Sequence, residues 1–402
     1  MKKVKVVHII TKLELGGAQQ NTLYTVEHLD KNLFDVYLLS GRGGILDGFA
    51  KSLVKNSGVK VIFISTLVRE INIIKDILAF IEIFELLRKI RPDIIHTHSS
   101  KAGIVARWSA FVLNLFSKNK IKIIHTFHGF AFSKFHNFFV RIFYITLEFF
   151  TGIISDRLIF VSIDNMNTAR KYKIGMVKNY VLIRSGIKIK EFERVSFDNE
   201  FKKLKMQNLN LTLKEKVITT IGPFKPQKNL VDFIKMVRFV IDELPDENLI
   251  FFIAGDGKQK NLLISLAKKL GVYEKIKFLS WYKDIKGLLA VTDIFVMTSL
   301  WEGLPRSAVE ALVAGVPVVA YAVDGLNDII KSGINGYLIE PKDVFNLSKK
   351  VILLIRNSDL YNQIKKNTTQ TIDKSFDIDY MVLQQQNLYF ELTSSKTSKI
   401  KN

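Results

Sequence analysis

The sequence predicts an α/β protein built from two doubly wound, Rossmann-like domains facing each other across a cleft. Three observations lead there. Short apolar runs alternate with helical patterns through both halves of the 402 residues. The runs are apolar at consecutive positions, as strands buried on both faces of a parallel sheet must be. A charged, weakly periodic stretch at 188–213, with Asn208, Asn210 and Thr212, separates the two series and reads as a hinge. The expected domains are 1–187 and 188–378, followed by a C-terminal helix and tail at 379–402, with the helix packing back toward the N-terminal domain.

The opening residues, MKKVKVVHII, are basic and then apolar, but polar Thr11, Lys12 and Glu14 follow at once, with no small-residue cleavage site. They read as a first strand, 4–10, rather than a signal peptide. Further strands are expected at 35–39, 59–64, 93–96, 121–126, 158–161 and 180–183, alternating with helices at 18–29, 73–89, 102–116, 138–151 and 165–172. The second half repeats the scheme, with strands at 217–221, 249–254, 276–279, 294–297, 316–320 and 336–339. A last helical pattern spans 380–392, and the tail 393–402 is expected to be disordered.

The stretch 295–320, FVMTSLWEGLPRSAVEALVAGVPVVA, is the most informative. A buried strand ends at Met297 and a loop follows to Leu304. Pro305 opens a helix, where its missing N–H costs nothing. Gly315 and Pro317 close it before the next strand. Glu302 therefore sits at a strand's carboxyl end. Glu310 lies about a turn and a half inside the helix, between Ala308, Val309, Ala311 and Leu312, where an acid needs a partner. Such strand ends are where open α/β sheets bind ligands, and the first helical turn offers free N–H groups to an anion.

Other loops follow the same logic. Gly16 and Gly17 come between the first strand and its helix, as a bare turn or as a close approach to a ligand. His128, next to Gly129, follows the strand at 121–126 and has room for a ligand beside it, whereas His125 inside the strand reads as structural. His96 and His98 form an H-T-H string, but without a carboxylate or third histidine close by no metal site is expected. Lys225 and Lys228 lie in IGPFKPQKN after the strand at 217–221, as a solvated basic turn or as point charges for a phosphate. Gly255-Asp256-Gly257 follows a strand too, as a turn or as a border of a nucleotide. Asp377 and Asp379 precede a helix and are not read as a Mg²⁺ site.

Composition narrows the partners. The chain has no cysteine, hence no disulfide or thiolate metal site, and a formal charge of +21. Nucleic acid, an anionic membrane face or a phosphorylated substrate would each account for that charge. No zinc-finger spacing, RNP-like string or basic-region heptad is present, which argues against nucleic acid.

Taken together, SLWEGLPRSAVEALVAGVPVVA, the Gly16-Gly17-Ala18 turn, the His128-Gly129 pair, FKPQKN, AGDG and the 333–336 loop resemble, in order, the retaining glycosyltransferases of family 4, which have the GT-B fold. The resemblance covers nearly the whole chain, and the two-glutamate block is its most specific part. It implies that Glu310 holds ribose hydroxyls. Glu302, with the backbone of Gly303, Leu304 and Pro305, would bind the transferred sugar. Lys228 would neutralise the diphosphate, and Gly17 would let the N-terminal domain approach it. His128 would contact the sugar near its anomeric carbon, Gly255 would border the nucleotide, and residues 279–281, with Trp281, would border the base. His128, Glu302 and Lys228 are thus the expected catalytic groups. Where the family often has an arginine, this chain has Pro223, and Lys225 is the candidate replacement.

The implied reaction moves a hexose or N-acetylhexosamine from a UDP-sugar, with retention and without cofactor or metal. The acceptor is expected to be a saccharide on a polyprenyl diphosphate at the inner face of the cell membrane. Residues 127–160 are unusually aromatic, with Lys118, Lys120, Lys122, Lys134 and Arg141 interleaved or just upstream. Arg141 and Glu148 interrupt any transmembrane span. The segment is either a helix buried in the N-terminal domain or a patch lying on an anionic bilayer. A small soluble acceptor, a basic nucleic-acid-binding protein and a catalytically silent binding relative are the alternatives.

Overall fold

A computed structural model describes residues 2–132, 135 and 137–394, which form two compact units, 1–186 with 378–402, and 187–377. Lys134 of the aromatic segment and residues 395–402 of the expected tail lie outside the described residues. The first unit is built on seven parallel strands: β1 (Val4–Lys12), β2 (Phe34–Gly41), β3 (Lys60–Ile64), β4 (Ile94–His98), β5 (Lys122–Phe127), β6 (Arg157–Phe160) and β7 (Tyr180–Leu182). Their order is β3-β2-β1-β4-β5-β6-β7, so the winding reverses between β1 and β4. The second unit has six parallel strands: β8 (Lys216–Ile221), β9 (Leu249–Ala254), β10 (Ile276–Phe278), β11 (Ile294–Met297), β12 (Val318–Tyr321) and β13 (Gly336–Ile339). Their order, β10-β9-β8-β11-β12-β13, reverses between β8 and β11.

The strands are buried on both faces, as their consecutive apolar residues require. In β1, Val6 and Ile10 face one cluster with Leu23, Val26 and Leu38, while Val7 and Ile9 face another with Ala79, Ile83 and Ala106. The C-terminal helix Ile378–Ser394 adds Met381, Val382, Leu388 and Tyr389 to the first of these clusters.

Three features depart from the sequence reading. First, a helix, Asp47–Ser57, occupies a stretch that buries only Ala50 and Leu53 and so carries little periodic signal. Second, the stretch expected to be a hinge holds the helix Asn199–Asn208, started by Asp198, whose carboxylate accepts from the Phe201 N–H. Third, β12 begins at Val318 rather than 316. The Val316 N–H closes the preceding helix on Ala311, and Pro317 has no N–H to give the ladder, although its carbonyl accepts from Phe295. The helix Phe138–Ile153, for which the sequence left burial and exposure both open, buries only Glu148, Thr151 and Gly152. Phe138, Phe139, Val140, Ile142, Phe143, Phe150 and Ile153 are exposed. Glu148 points inward to the Arg107 guanidinium at 2.8 Å, both side chains being essentially inaccessible. No helix among the described residues is long and apolar enough to cross a membrane.

Candidate active site

In the second unit the loops after β8 and β11 meet at the reversal point of the sheet, the usual ligand position in a doubly wound fold. The loop after β8 turns at Gly222 and forms a short 3₁₀ turn, Pro226–Lys228. It is tied to the loop after β11 by three hydrogen bonds: Leu300 N–H to the Gln227 carbonyl (2.9 Å), Gln227 Nε2 to the Trp301 carbonyl (2.8 Å) and Thr298 Oγ1 to the Lys228 carbonyl (2.9 Å). The result is an ion pair between groups 74 residues apart, Lys228 Nζ to Glu302 Oε1 at 2.5 Å. Their side chains are 13% and 9% exposed, so the pair is largely dry but reachable.

Glycines make this geometry possible. A Cβ on Gly222 would come within 2.9 Å of Lys228 Cε, so the lysine stem runs across a bare backbone. Gly255 has φ +145°, and a Cβ there would lie 2.0 Å from the Gly222 carbonyl oxygen. Gly255 thus lets the loop after β9 press against the lysine loop. A Cβ on Gly325 would lie 2.2 Å from the Gly303 carbonyl, which the Gly325 N–H bonds at 3.0 Å. Asp324 fixes the acidic loop by accepting from the Glu302 N–H at 2.6 Å.

The helix after that loop is Arg306–Ala314, with Pro305 as its N-cap rather than its first residue, and Gly315 ends it in the left-handed conformation. Burial pushes the Glu310 carboxyl up, and the Arg306 guanidinium, 3.5 Å away on the same helix, pulls part of the way back. Arg306 is thus the partner the acid required. Gly303, Leu304 and Pro305 are buried beside Glu302. Trp281 follows β10 and is exposed, and Lys225 is the N-cap of the 3₁₀ turn, its N–H bonded to the Pro223 carbonyl.

Gly17 and His128 lie in the first unit, apart in the chain from this group. Gly17 is the first residue of the helix Gly17–His28, with Gly16 as its extended N-cap. His128 follows β5, and it does not stand alone. Its Nε2 is 3.2 Å from Nδ1 of His98, whose Nε2 is 3.1 Å from Nδ1 of His8. His8 Nε2 lies 3.5 Å from the Tyr389 hydroxyl, which is 2.5 Å from Nδ1 of His96, and His96 Nε2 is 2.6 Å from Thr126 Oγ1. Burial lowers His8 to about 3, with Lys31 adding to the effect, and lowers His128 to about 4. Burial, with neighbouring histidines, also holds His96 and His98 well below the ordinary imidazole value.

The expectation that no third histidine lies near His96 and His98 is therefore wrong. β1 pairs with β4 so that His8 faces His96, and one nitrogen from each of His8, His96 and His98 falls within 4.8 Å of the others. These three rings are the group that would hold a metal ion among the described residues; in the chain as folded their nitrogens bond one another, Tyr389, Thr126 and His128. The sequence reading also passed over Gly222, Asp324 and Ser299. The Ser299 hydroxyl is buried beside the acidic loop without a hydrogen-bond partner among the described residues. Only the glycine carried a signal, as the first residue of the GPFK turn.

Two parallel-sheet units, the second carrying a lysine–glutamate pair at its reversal point, make up the GT-B architecture. The sequence pattern of Glycosyltransferase Family 4 matches residues 15–190, and that of Glycosyl transferases group 1 matches residues 201–371. The chain belongs to glycosyltransferase family 4. It is 29% identical over 397 residues, 98% of either chain, to the UDP-Gal:α-D-GlcNAc-diphosphoundecaprenol α-1,3-galactosyltransferase of Escherichia coli. It is 29% identical over 190 residues, 47% of this chain and 49% of the relative, to an α-1,4-N-acetyl-D-galactosaminyltransferase of Campylobacter jejuni whose name specifies a diphosphoundecaprenol-linked saccharide. The crystal structure of Anabaena HepE with UDP has the same fold, with a TM-score of 0.77 at 18% identity over 96% of this chain and 99% of that one.

Proposed function

We propose that the protein transfers a hexose or N-acetylhexosamine from a UDP-sugar to a saccharide carried on a polyprenyl diphosphate, in the synthesis of a surface polysaccharide. The observation that carries this reading is the Lys228–Glu302 pair, a cation and an acid held together in a nearly dry loop cluster. Breaking a sugar–phosphate bond builds negative charge on the departing diphosphate and positive charge on the sugar. A fixed ammonium stabilises the first without reorganising at the moment of reaction. In this reading Lys228 turns to the diphosphate, with Lys225 as a second cation in place of the absent arginine. Glu302 and the backbone of Gly303, Leu304 and Pro305 take the sugar hydroxyls, and Glu310 takes the ribose hydroxyls. Gly255 and Trp281 border the nucleotide, and Ser299 supplies one further hydroxyl. His128 and Gly17 keep the roles that the family resemblance implies. The charge needs no metal ion in this scheme, and the acceptor hydroxyl attacks on the face the diphosphate leaves.

The full-length similarity to the Escherichia coli enzyme supports a diphosphate-lipid acceptor, and so does the exposed apolar face of the helix Phe138–Ile153. The helix Ile73–Ile90 adds Ile73, Ile74, Ile77, Leu78 and Ile81 to the exposed apolar surface of the first unit. Patches of this kind mark membrane or protein contacts. In this reading the protein works as a peripheral protein at the inner face of the cell membrane.

The decisive experiment is turnover with a panel of UDP-sugars, UDP-galactose first, on GlcNAc-diphosphoundecaprenol, with EDTA in a parallel reaction. Transfer that survives EDTA and gives an α-linked product by NMR is the expected result. No transfer from any UDP-sugar, or a β-linked product, would sink the respective claim. Flotation with anionic vesicles checks the membrane assignment, with Phe139→Ser/Phe143→Ser expected to lower the bound fraction several-fold.

A further inference from the structure

The rings of His128, His98, His8 and His96 and the hydroxyls of Tyr389 and Thr126 form one unbranched line of hydrogen bonds. Each neutral imidazole in the line has one N–H and one lone pair, and each uses a different nitrogen toward each neighbour. Within each histidine the direction of one bond therefore dictates the other, and across Tyr389 the direction passes on once its single proton is assigned. Neutrality is required throughout, and burial enforces it for the histidines and for Tyr389, whose phenol is held well above its ordinary value.

The shortest ring contact decides the direction. At Tyr389–His96, 2.5 Å, a phenol O–H meets an imidazole nitrogen. A phenol is the stronger donor and an imidazole lone pair the stronger acceptor, so Tyr389 donates to Nδ1 of His96. The other acceptor near this hydroxyl, Gln385 Oε1, is at 3.4 Å and competes poorly. With its proton committed to His96, Tyr389 can only accept from Nε2–H of His8. His8 then accepts at Nδ1 from Nε2–H of His98, and His98 accepts at Nδ1 from Nε2–H of His128. At the other end, His96 donates from Nε2 to Thr126.

We infer that Tyr389, acting through His8 and His98, is a positioning residue that fixes His128 in the Nε2–H tautomer and leaves Nδ1 as a permanent hydrogen-bond acceptor. That Nδ1 is buried and has no partner among the described residues. The group it suits is a hydroxyl, which can donate, and not a phosphate or carbonyl oxygen, which cannot. The choice of a sugar hydroxyl as that group rests on the transferase reading above; the tautomer does not.

The test uses the full-length protein, free of ligand, with ¹⁵N-labelled histidine, and reads long-range ¹H–¹⁵N correlations of the ring nitrogens at pH 7. The expected wild-type result is a protonated Nε2 and a bare Nδ1 at His128. Tyr389→Phe removes the only phenol in the line, and the Nδ1–H form of His128 should then gain at least about fivefold in population, the worth of one buried hydrogen bond. A wild-type His128 carrying its proton on Nδ1 would overturn the inference. So would an unmoved tautomer ratio in a Tyr389→Phe protein whose amide spectrum shows it folded. If that variant does not fold, the wild-type assignment decides alone. Failure of the turnover assay would leave these spectra untouched, so the two claims fall separately.

Discussion

Each unit holds an acid against a base, and the two pairs differ in what surrounds them. Arg107–Glu148 lies inside the first unit with both side chains inaccessible, and its arginine is also tied to the Gly103 carbonyl and the Ser155 hydroxyl. Lys228–Glu302 lies on two loops of the second unit, with roughly a tenth of each side chain open. A sealed pair of this kind orients elements: Glu148 turns the charged edge of its helix inward and leaves the phenylalanines outside. A pair on the rim of a sheet reversal can exchange its partner for a substrate. The lesson is that ion pairing alone says little about role, and access decides it.

Removing one member of the sealed pair should give the largest effect. Glu148→Ala strands the Arg107 charge, and the unfolding free energy by urea titration should fall by about 3–5 kcal/mol. The double replacement Arg107→Met/Glu148→Leu should recover most of that loss. A fall of under about 1 kcal/mol in Glu148→Ala would erase the contrast between the pairs.

Lys228→Ala should do the reverse, lowering kcat/KM by about 100- to 1,000-fold, the usual loss for one charge-stabilising group. Its urea midpoint should fall by less than that of Glu148→Ala, because Glu302, with 9% of its side chain open, can still be hydrated when it loses its partner. Acid should separate the units next. His8 and His128 have folded values near 3 and 4, below the unfolded 6.5. The stability they contribute is complete above pH 6.5 and is lost as pH falls from there toward their folded values. At pH 5 the loss is about 2 kcal/mol per histidine. Proteolysis at pH 5 should therefore cut the first unit before the second. The smallest effect belongs to Gly222→Ala. Its Cβ would meet only the flexible end of Lys228, but its φ of +159° is one that residues with a Cβ rarely adopt, so stability should fall by about 1 kcal/mol and kcat/KM by roughly tenfold or less.

Much of this was legible in the sequence. Two-sided apolar strands declared both sheets, because burial on both faces leaves no room for alternation. The acidic loop and the lysine loop were legible as well, since each follows its strand directly and carries its own charge. What stayed hidden came from residues far apart in the chain. Nothing near His96 and His98 announces His8 on β1 or Tyr389 on the last helix. Glu148 looked like an interruption of an apolar run until Arg107, from another helix, turned it inward. The Asn199–Asn208 helix was masked because Met206 is its one buried side chain, and two of its lysines, Lys202 and Lys205, turn to Asp293 and Asp284, which lie far along the chain.

The last helix has a consequence for how the chain is made. Its residues belong to the first unit, while 187–377 form the second, and the strand-like bridge between Ile187 and Asp377 brings entry and exit of that insert together. A ribosome delivers the whole insert before it delivers Tyr389. The half that is begun first is finished last, and a message cut short after codon 377 yields a complete second unit beside a first one without its final core residues.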